Sequence, residues 1–233
     1  MISLFSTEFL KVKRKAVWWL VILGPLGIIG LESVNYGLRY DYLVDFNQDV
    51  WRSFLNEIGM FIPLVLLFGI TILASITAGI EHQTDAWKQL LVLPVTRKRV
   101  FIVKFLFVSV LLLSSSTLLV VGIISLGLIL NFGWSLPLLE ILKISYLPLL
   151  AALPILALQL WISIVQSNQG LALSIGIICA IGSLYSFSLP EWVPFSWPYF
   201  FHNTYVLNVM YGCVTGFVVL IVGMTHFSTK DVS

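Results

Sequence analysis

Six long apolar runs constrain the fold of this chain more than any other feature. They are Ala16 to Leu31, with a possible extension to Leu38, then Ile58 to Ile80, Val100 to Leu130, Ile144 to Val165, Gly170 to Phe187 and Val206 to Phe227. A helix crossing a bilayer needs about 20 mostly apolar residues, and each run is near or above that length. Of the 233 residues, 59% are apolar and 10% charged, whereas a soluble domain carries about a quarter charged residues. Lipid must therefore be part of the solvent, and a soluble enzyme is excluded. The expected fold is an all-α membrane protein of six transmembrane helices, one transmembrane domain over residues 1–233. The third run is long enough to tilt or to project beyond the bilayer. The fourth and fifth are separated only by Gln166-Ser167-Asn168-Gln169, which reads as a tight helical hairpin.

Charge placement sets the orientation. With the N-terminus inside, all of the 13 Lys and Arg residues except Arg39, Arg52 and Lys143 fall on the cytoplasmic side, as the positive-inside rule requires. Six spans return the C-terminus to the cytoplasm, giving a multi-pass protein of the cell membrane. The net charge of +2 makes no case for nucleic acid. The first outer loop, Glu32 to Glu57, reads as acidic, with Glu32, Asp41, Asp45, Asp49 and Glu57 against two arginines. The first apolar run follows a basic stretch as a signal peptide would, but no small-x-small cleavage site closes it, so it is read as a retained span.

Residues 1–15 are not a span. Ile2, Phe5, Phe9, Val12 and Ala16 recur at steps of three and four, the spacing of one helical face. Glu8, Lys11, Lys13, Arg14 and Lys15 charge the rest. Such a basic amphipathic helix lies at the headgroup level; a plain topological anchor is the alternative.

Within the spans, Pro25, Pro63, Pro148 and Pro154 each remove a backbone donor and bend their helices. Gly212 and Gly216 form a small-xxx-small packing motif, read as internal packing. Ionisable groups deep in the spans are essentially lacking, which argues against a proton- or ion-coupled carrier. Glu140 and Lys143 stand three apart and read as a boundary pair. Cys179 and Cys213 sit in apolar runs with no metal-ligand spacing. Residues 188–203, SLPEWVPFSWPYFFHN, hold three prolines that forbid a long regular helix, among aromatics suited to the membrane–water boundary. A re-entrant segment forming an outer gate from Trp192, Trp197 and Tyr199 is one reading, and an aromatic belt is the other.

The one sizeable cytoplasmic loop is 81–99, EHQTDAWKQLLVLPVTRKR. It carries an amphipathic stretch, Trp87, Leu90, Leu91 and Val92 among polar residues. Pro94 biases Leu93 away from helix, and a basic cluster follows. Exposed apolar side chains of this kind usually dock onto something.

At this loop the chain resembles the permease subunits of type-two ATP-binding-cassette exporters. Within that class it is most similar to those of lantibiotic and bacitracin self-protection transporters. The pattern is a glutamate after span two, Gly-Thr-Trp with a basic residue and leucines, Leu-Pro-Val-Ser-Arg, and a lysine opening span three. Glu81, Trp87, Lys88, Leu90, Leu91, Pro94, Val95, Arg97 and Lys104 match it. Thr96 replaces the serine, and Asp85-Ala86 replaces Gly-Thr. The opening Glu8-Phe9-Leu10-Lys11-Val12-Lys13-Arg14 is also similar.

The resemblance implies that the loop is a coupling helix seated in a separate ATPase, with Glu81, Thr84, Asp85, Trp87, Lys88, Leu91, Pro94 and Arg97 as its coupling residues. It implies a second permease copy or related permease as well. The chain itself is expected to be non-catalytic and without a cofactor. It contains no Gly-Lys pair and hence no phosphate-binding P-loop, so ATP and Mg²⁺ belong to the partner. The implied activity is export of an amphipathic or antibiotic-like peptide. An intramembrane enzyme, the substrate-capture subunit of a vitamin importer and a non-transporting sensor are the competing readings; no His, Glu, Ser or Lys cluster supports the first.

Overall fold

The computed structural model describes residues 2–12, 17–45, 49–83, 96–190, 192–199 and 205–229. Every regular element among them is helical: α1 (Ile2–Val12), α2 (Val17–Asp45), α3 (Val50–Gln83), α4 (Arg97–Ile129), α5 (Leu138–Ala151), α6 (Leu153–Val165), α7 (Gln169–Gly182) with a 3₁₀ turn after it (Ser183–Ser188), and α8 (Tyr205–Thr229). Five stretches are long and apolar enough to cross a membrane on their own, and a sixth follows if α5 and α6, bent by 44° at their junction, count as one span.

That bend has a sequence cause. Pro154 cannot donate to the helix, and it disfavours helical backbone at Leu153. The chain closes α5 with Ala152 N–H donating to Pro148 O at 2.9 Å and restarts with Ile155 N–H donating to Ala152 O at 3.0 Å. Two glycines of α8 seat the break: a Cβ on Gly212 would lie 2.5 Å from Ala151 Cα, and one on Gly216 would lie 2.7 Å from Leu153 Cβ. The small-xxx-small pair is thus used inside the chain, where it lets α8 reach the bent span. The polar hairpin between α6 and α7 forms as expected: Asn168 caps α7 by accepting from Gly170 N–H at 2.9 Å.

One expectation is overturned. Residues 32–45 and 50–57 are helical and not an open loop: helix continues past a kink at Arg39 (φ −129°, ψ 26°) to Asp45, and α3 begins at Val50. The helices persist because their inward faces stay apolar beyond the expected span. Tyr36 and Phe54 are fully buried and meet edge to face with centroids 5.4 Å apart. Phe132 stands 5.4 Å from each of them and 5.5 Å from Trp51. Each aromatic contact of this type adds about 0.5–1.5 kcal/mol beyond area burial. Phe132 reaches the cluster because α4 ends in a Schellman turn. Asn131 takes a left-handed φ of 58°, Asn131 N–H donates to Leu128 O, and Phe132 N–H donates to Gly127 O, both at 3.1 Å.

The buried core falls into three clusters: this one, a second with Leu67, Ile70, Phe107 and Leu111, and a third with Ala78, Phe101, Ile164 and Phe227 near the start of α4. Outward positions such as Leu26, Val214 and Phe217 are exposed, as suits helices solvated by lipid.

Candidate functional site: a buried four-charge junction

α3 ends and α4 begins on either side of the amphipathic loop, and α1 packs across that end of the bundle. Its apolar face carries Phe5 and Phe9, whose rings meet the buried Phe107 of α4 edge to face at 6.2 and 5.0 Å. Fixing that face turns Glu8 and Lys11, three residues apart and so on one side of α1, toward the ends of α3 and α4.

There the side chains close a ring. Lys11 Nζ donates to Glu8 Oε1 and to Glu81 Oε1, each at 2.8 Å. Lys104 Nζ lies 2.7 Å from Glu81 Oε1 and donates to Glu8 Oε2 at 3.2 Å. Each ammonium thus serves both carboxylates, and the four charges sum to zero. Lys104 also donates to the backbone carbonyl of Thr77 at 2.9 Å, which gives its three N–H donors three acceptors. Lys104 and Glu81 are fully buried, and Glu8 is 4% exposed. Charges so desolvated are tolerated only when paired and hydrogen-bonded. Burial works against the Lys11 charge, but the Glu81 and Glu8 carboxylates outweigh it and hold its ammonium above the ordinary lysine value of 10.5.

This corrects the expectation that the spans hold essentially no buried charge. Glu81 and Lys104 lie in spanning helices, and Glu32 of α2 is fully buried too. Of the expected coupling residues, Glu81 sits in the ring and Arg97 opens α4. Thr84, Asp85, Trp87, Lys88, Leu91 and Pro94 lie outside the described residues, as do Lys13 and Arg14 of the expected interfacial helix. Phe5, Phe9 and Lys11 all serve the junction. Glu8 and Lys104 complete the ring; both fall in stretches that carry the family resemblance, but neither was among the expected coupling or interfacial residues. A lone lysine inside the apolar stretch VFIVKFLF was the available signal, since an ammonium there demands a partner.

The three aromatics of the expected gate differ in exposure. Trp197 and Tyr199 are buried and Trp192 is exposed. Residues 192–199 form successive turns, with N–H groups of Val193, Ser196 and Tyr199 each donating three residues back. The Tyr199 hydroxyl lies 3.1 Å from Ser183 Oγ. Burial pushes the phenol above its usual 10.0, partly offset by that hydrogen bond. Glu140 and Lys143 form the expected pair at 2.8 Å.

The helical fold, with five or six stretches long and apolar enough to cross a membrane, suits a multi-pass membrane subunit. No curated protein and no solved structure matches the chain. A family model described as ABC-2 family transporter protein matches residues 4–184, a stretch that includes α1, both helices framing the loop and the whole junction, and the chain belongs to that family of ABC transporter permease subunits.

Proposed function

We propose that this chain forms the membrane pathway of an ATP-driven exporter, and that the Glu8–Lys11–Glu81–Lys104 ring passes movement of residues 84–95 to the spans. Membership of the family makes the chain a permease subunit of an ABC transporter and implies an ABC ATPase as partner. In this reading Thr84, Asp85, Trp87, Lys88, Leu91 and Pro94 contact that ATPase, which holds ATP and Mg²⁺. The loop end faces the cytoplasm with both termini, and a second permease copy or related permease completes the pathway. The cargo is an amphipathic or antibiotic-like peptide, as in the self-protection transporters the sequence resembles. A cleft of about 520 Å³ lined by Asp49, Arg52, Glu140 and Lys143 together with Leu55 and Leu147 suits a cargo of mixed polarity, and in this reading Trp192, Trp197 and Tyr199 belong to an outer gate.

One observation carries the reading. The ring ties the two helices that frame the loop to each other and to α1, so a push on the loop displaces three helices together instead of bending one. Affinity purification of the tagged chain from its native membrane tests this. An ABC ATPase should accompany it, and Trp87→Ala should weaken that association. Glu81→Ala should keep ATP hydrolysis while lowering transport per ATP. A chain that purifies alone and supports transport without an ATPase refutes the proposal.

A further inference from the structure

At the end of the bundle opposite the ring, a second set of buried polar groups is left uncompensated. Glu32 of α2 is fully buried. The Asn35 amide donates to Glu32 Oε2 at 3.3 Å and, across the helix interface, to Glu57 Oε2 of α3 at 3.1 Å. One amide nitrogen thus bridges the two carboxyls and holds them side by side. Glu32 Oε1 and the fully buried Tyr36 hydroxyl have no hydrogen-bond partner among the described residues. No ion pair with Lys, Arg or His reaches either carboxyl among those residues.

Among the described residues, the surrounding elements offer no compensating cation. On α2, Arg39 and Asp41 are exposed, and Tyr40 donates its hydroxyl to Leu130 O. Asp49 and Arg52 at the start of α3 are exposed. α4 carries no titratable side chain from Phe105 onward. On α5, Glu140 and Lys143 are closed on each other, and Tyr146 bonds Thr117. Two carboxylates bridged by a single amide, one of them sealed from solvent, cannot both carry charge cheaply. A proton on one carboxyl gives that oxygen a donor for the other and removes half the uncompensated charge.

We propose that Glu32 and Glu57 form a binding site for one proton, held between the two carboxyls and exchanged with solvent through the half-buried Glu57. Release sends the proton to water and takes the pair from one negative charge to two. The repulsion then acts between α2 and α3, parting them at this end.

Infrared spectroscopy of the purified full-length chain in lipid nanodiscs tests this. At neutral pH the wild type should show the carbonyl band of a protonated carboxyl. That band should vanish in the Glu32→Gln/Glu57→Gln variant, and in the wild type as the buffer becomes alkaline. Because the folded state binds the proton, the wild-type folding equilibrium should weaken by up to about tenfold per pH unit between the ordinary carboxylate range and the pair's own titration, and level off above it, relative to the double variant. Absence of the band at neutral pH, its survival in the double variant, or parallel stability profiles overturns the proposal. So does recovery of alkaline stability by added sodium, which would make the ligand a metal cation. If the double variant does not fold, the alkaline loss of the wild-type band decides: a band that persists refutes the site.

Discussion

Lys104→Met keeps an unbranched apolar stem of similar length and deletes the ammonium. The wild-type group serves Glu81 at 2.7 Å, the Thr77 carbonyl at 2.9 Å and Glu8 at 3.2 Å, all out of contact with solvent. Without it, two buried carboxylates share only Lys11, and the ring changes from neutral to singly negative. Removing one partner of a buried ion pair costs about 3–5 kcal/mol, which is about two to four powers of ten in the folding equilibrium. The assay is denaturant unfolding in mixed micelles followed by tryptophan fluorescence. A second variant isolates the cause. Adding Glu81→Gln removes one charge of each sign and leaves the 2.8 Å Lys11–Glu8 pair balanced. The double variant should then be about 1–3 kcal/mol more stable than the two single losses summed. A Lys104→Met protein within about 0.5 kcal/mol of wild type, the range of inconsequential surface changes, or strict additivity in the cycle, refutes the claim that the four charges act as one unit.

Two further outcomes follow from the same coordinates. Gly212→Ala forces a methyl group onto the Ala151 backbone, 2.5 Å from its Cα, and should lower stability by about 1–3 kcal/mol. Gly27→Ala, with nothing within 4 Å of the new carbon, should leave it equal or raise it by up to about 1 kcal/mol through helix propensity; equal melting midpoints for the two variants contradict the packing described here. Lys11 has its proton affinity raised in the folded chain, so its contribution is complete below the unfolded lysine value and is lost as pH rises through the folded one. The difference in melting midpoint between wild type and Lys11→Met should hold steady up to about pH 10 and shrink above it, and a gap that instead widens in alkali removes the ring from the explanation.

Apolar run length located the spanning helices well, because lipid obliges every backbone group to bond within its own helix. The hairpin at Gln166–Gln169 and the bend at Pro154 were equally visible, since both follow from local backbone chemistry. Residues 32–57 were misread because hydropathy averages over all faces of a helix. The acids of that stretch include exposed residues such as Asp41, while Tyr36, Trp51 and Phe54 sustain the buried side. The ring was half legible. Glu81 matches a pattern and lies beside the loop, but its partners are Lys11, 70 positions away, and Lys104. Glu8 meets Lys104 across 96 positions. Only the folding of α1 onto α4 creates those pairings, and a single sequence holds no record of them. The Glu32–Glu57 contact was hidden for the same reason, because residues assigned to an open loop have no fixed neighbours.

α3 runs unbroken for 34 residues, and it carries Glu57 near one end and Glu81 near the other. At about 1.5 Å of rise per residue these carboxyls stand about 36 Å apart along one axis, more than the roughly 30 Å of a hydrocarbon core. A single rod therefore bears an acidic handle in each aqueous boundary region. Pivoting it by about ten degrees at one handle carries the other through about 6 Å at that rise, far more than the hydrogen bonds of Asn35 can stretch. The two handles cannot be set independently, and proton occupancy at one face and ion pairing at the other become alternative readings of the same tilt.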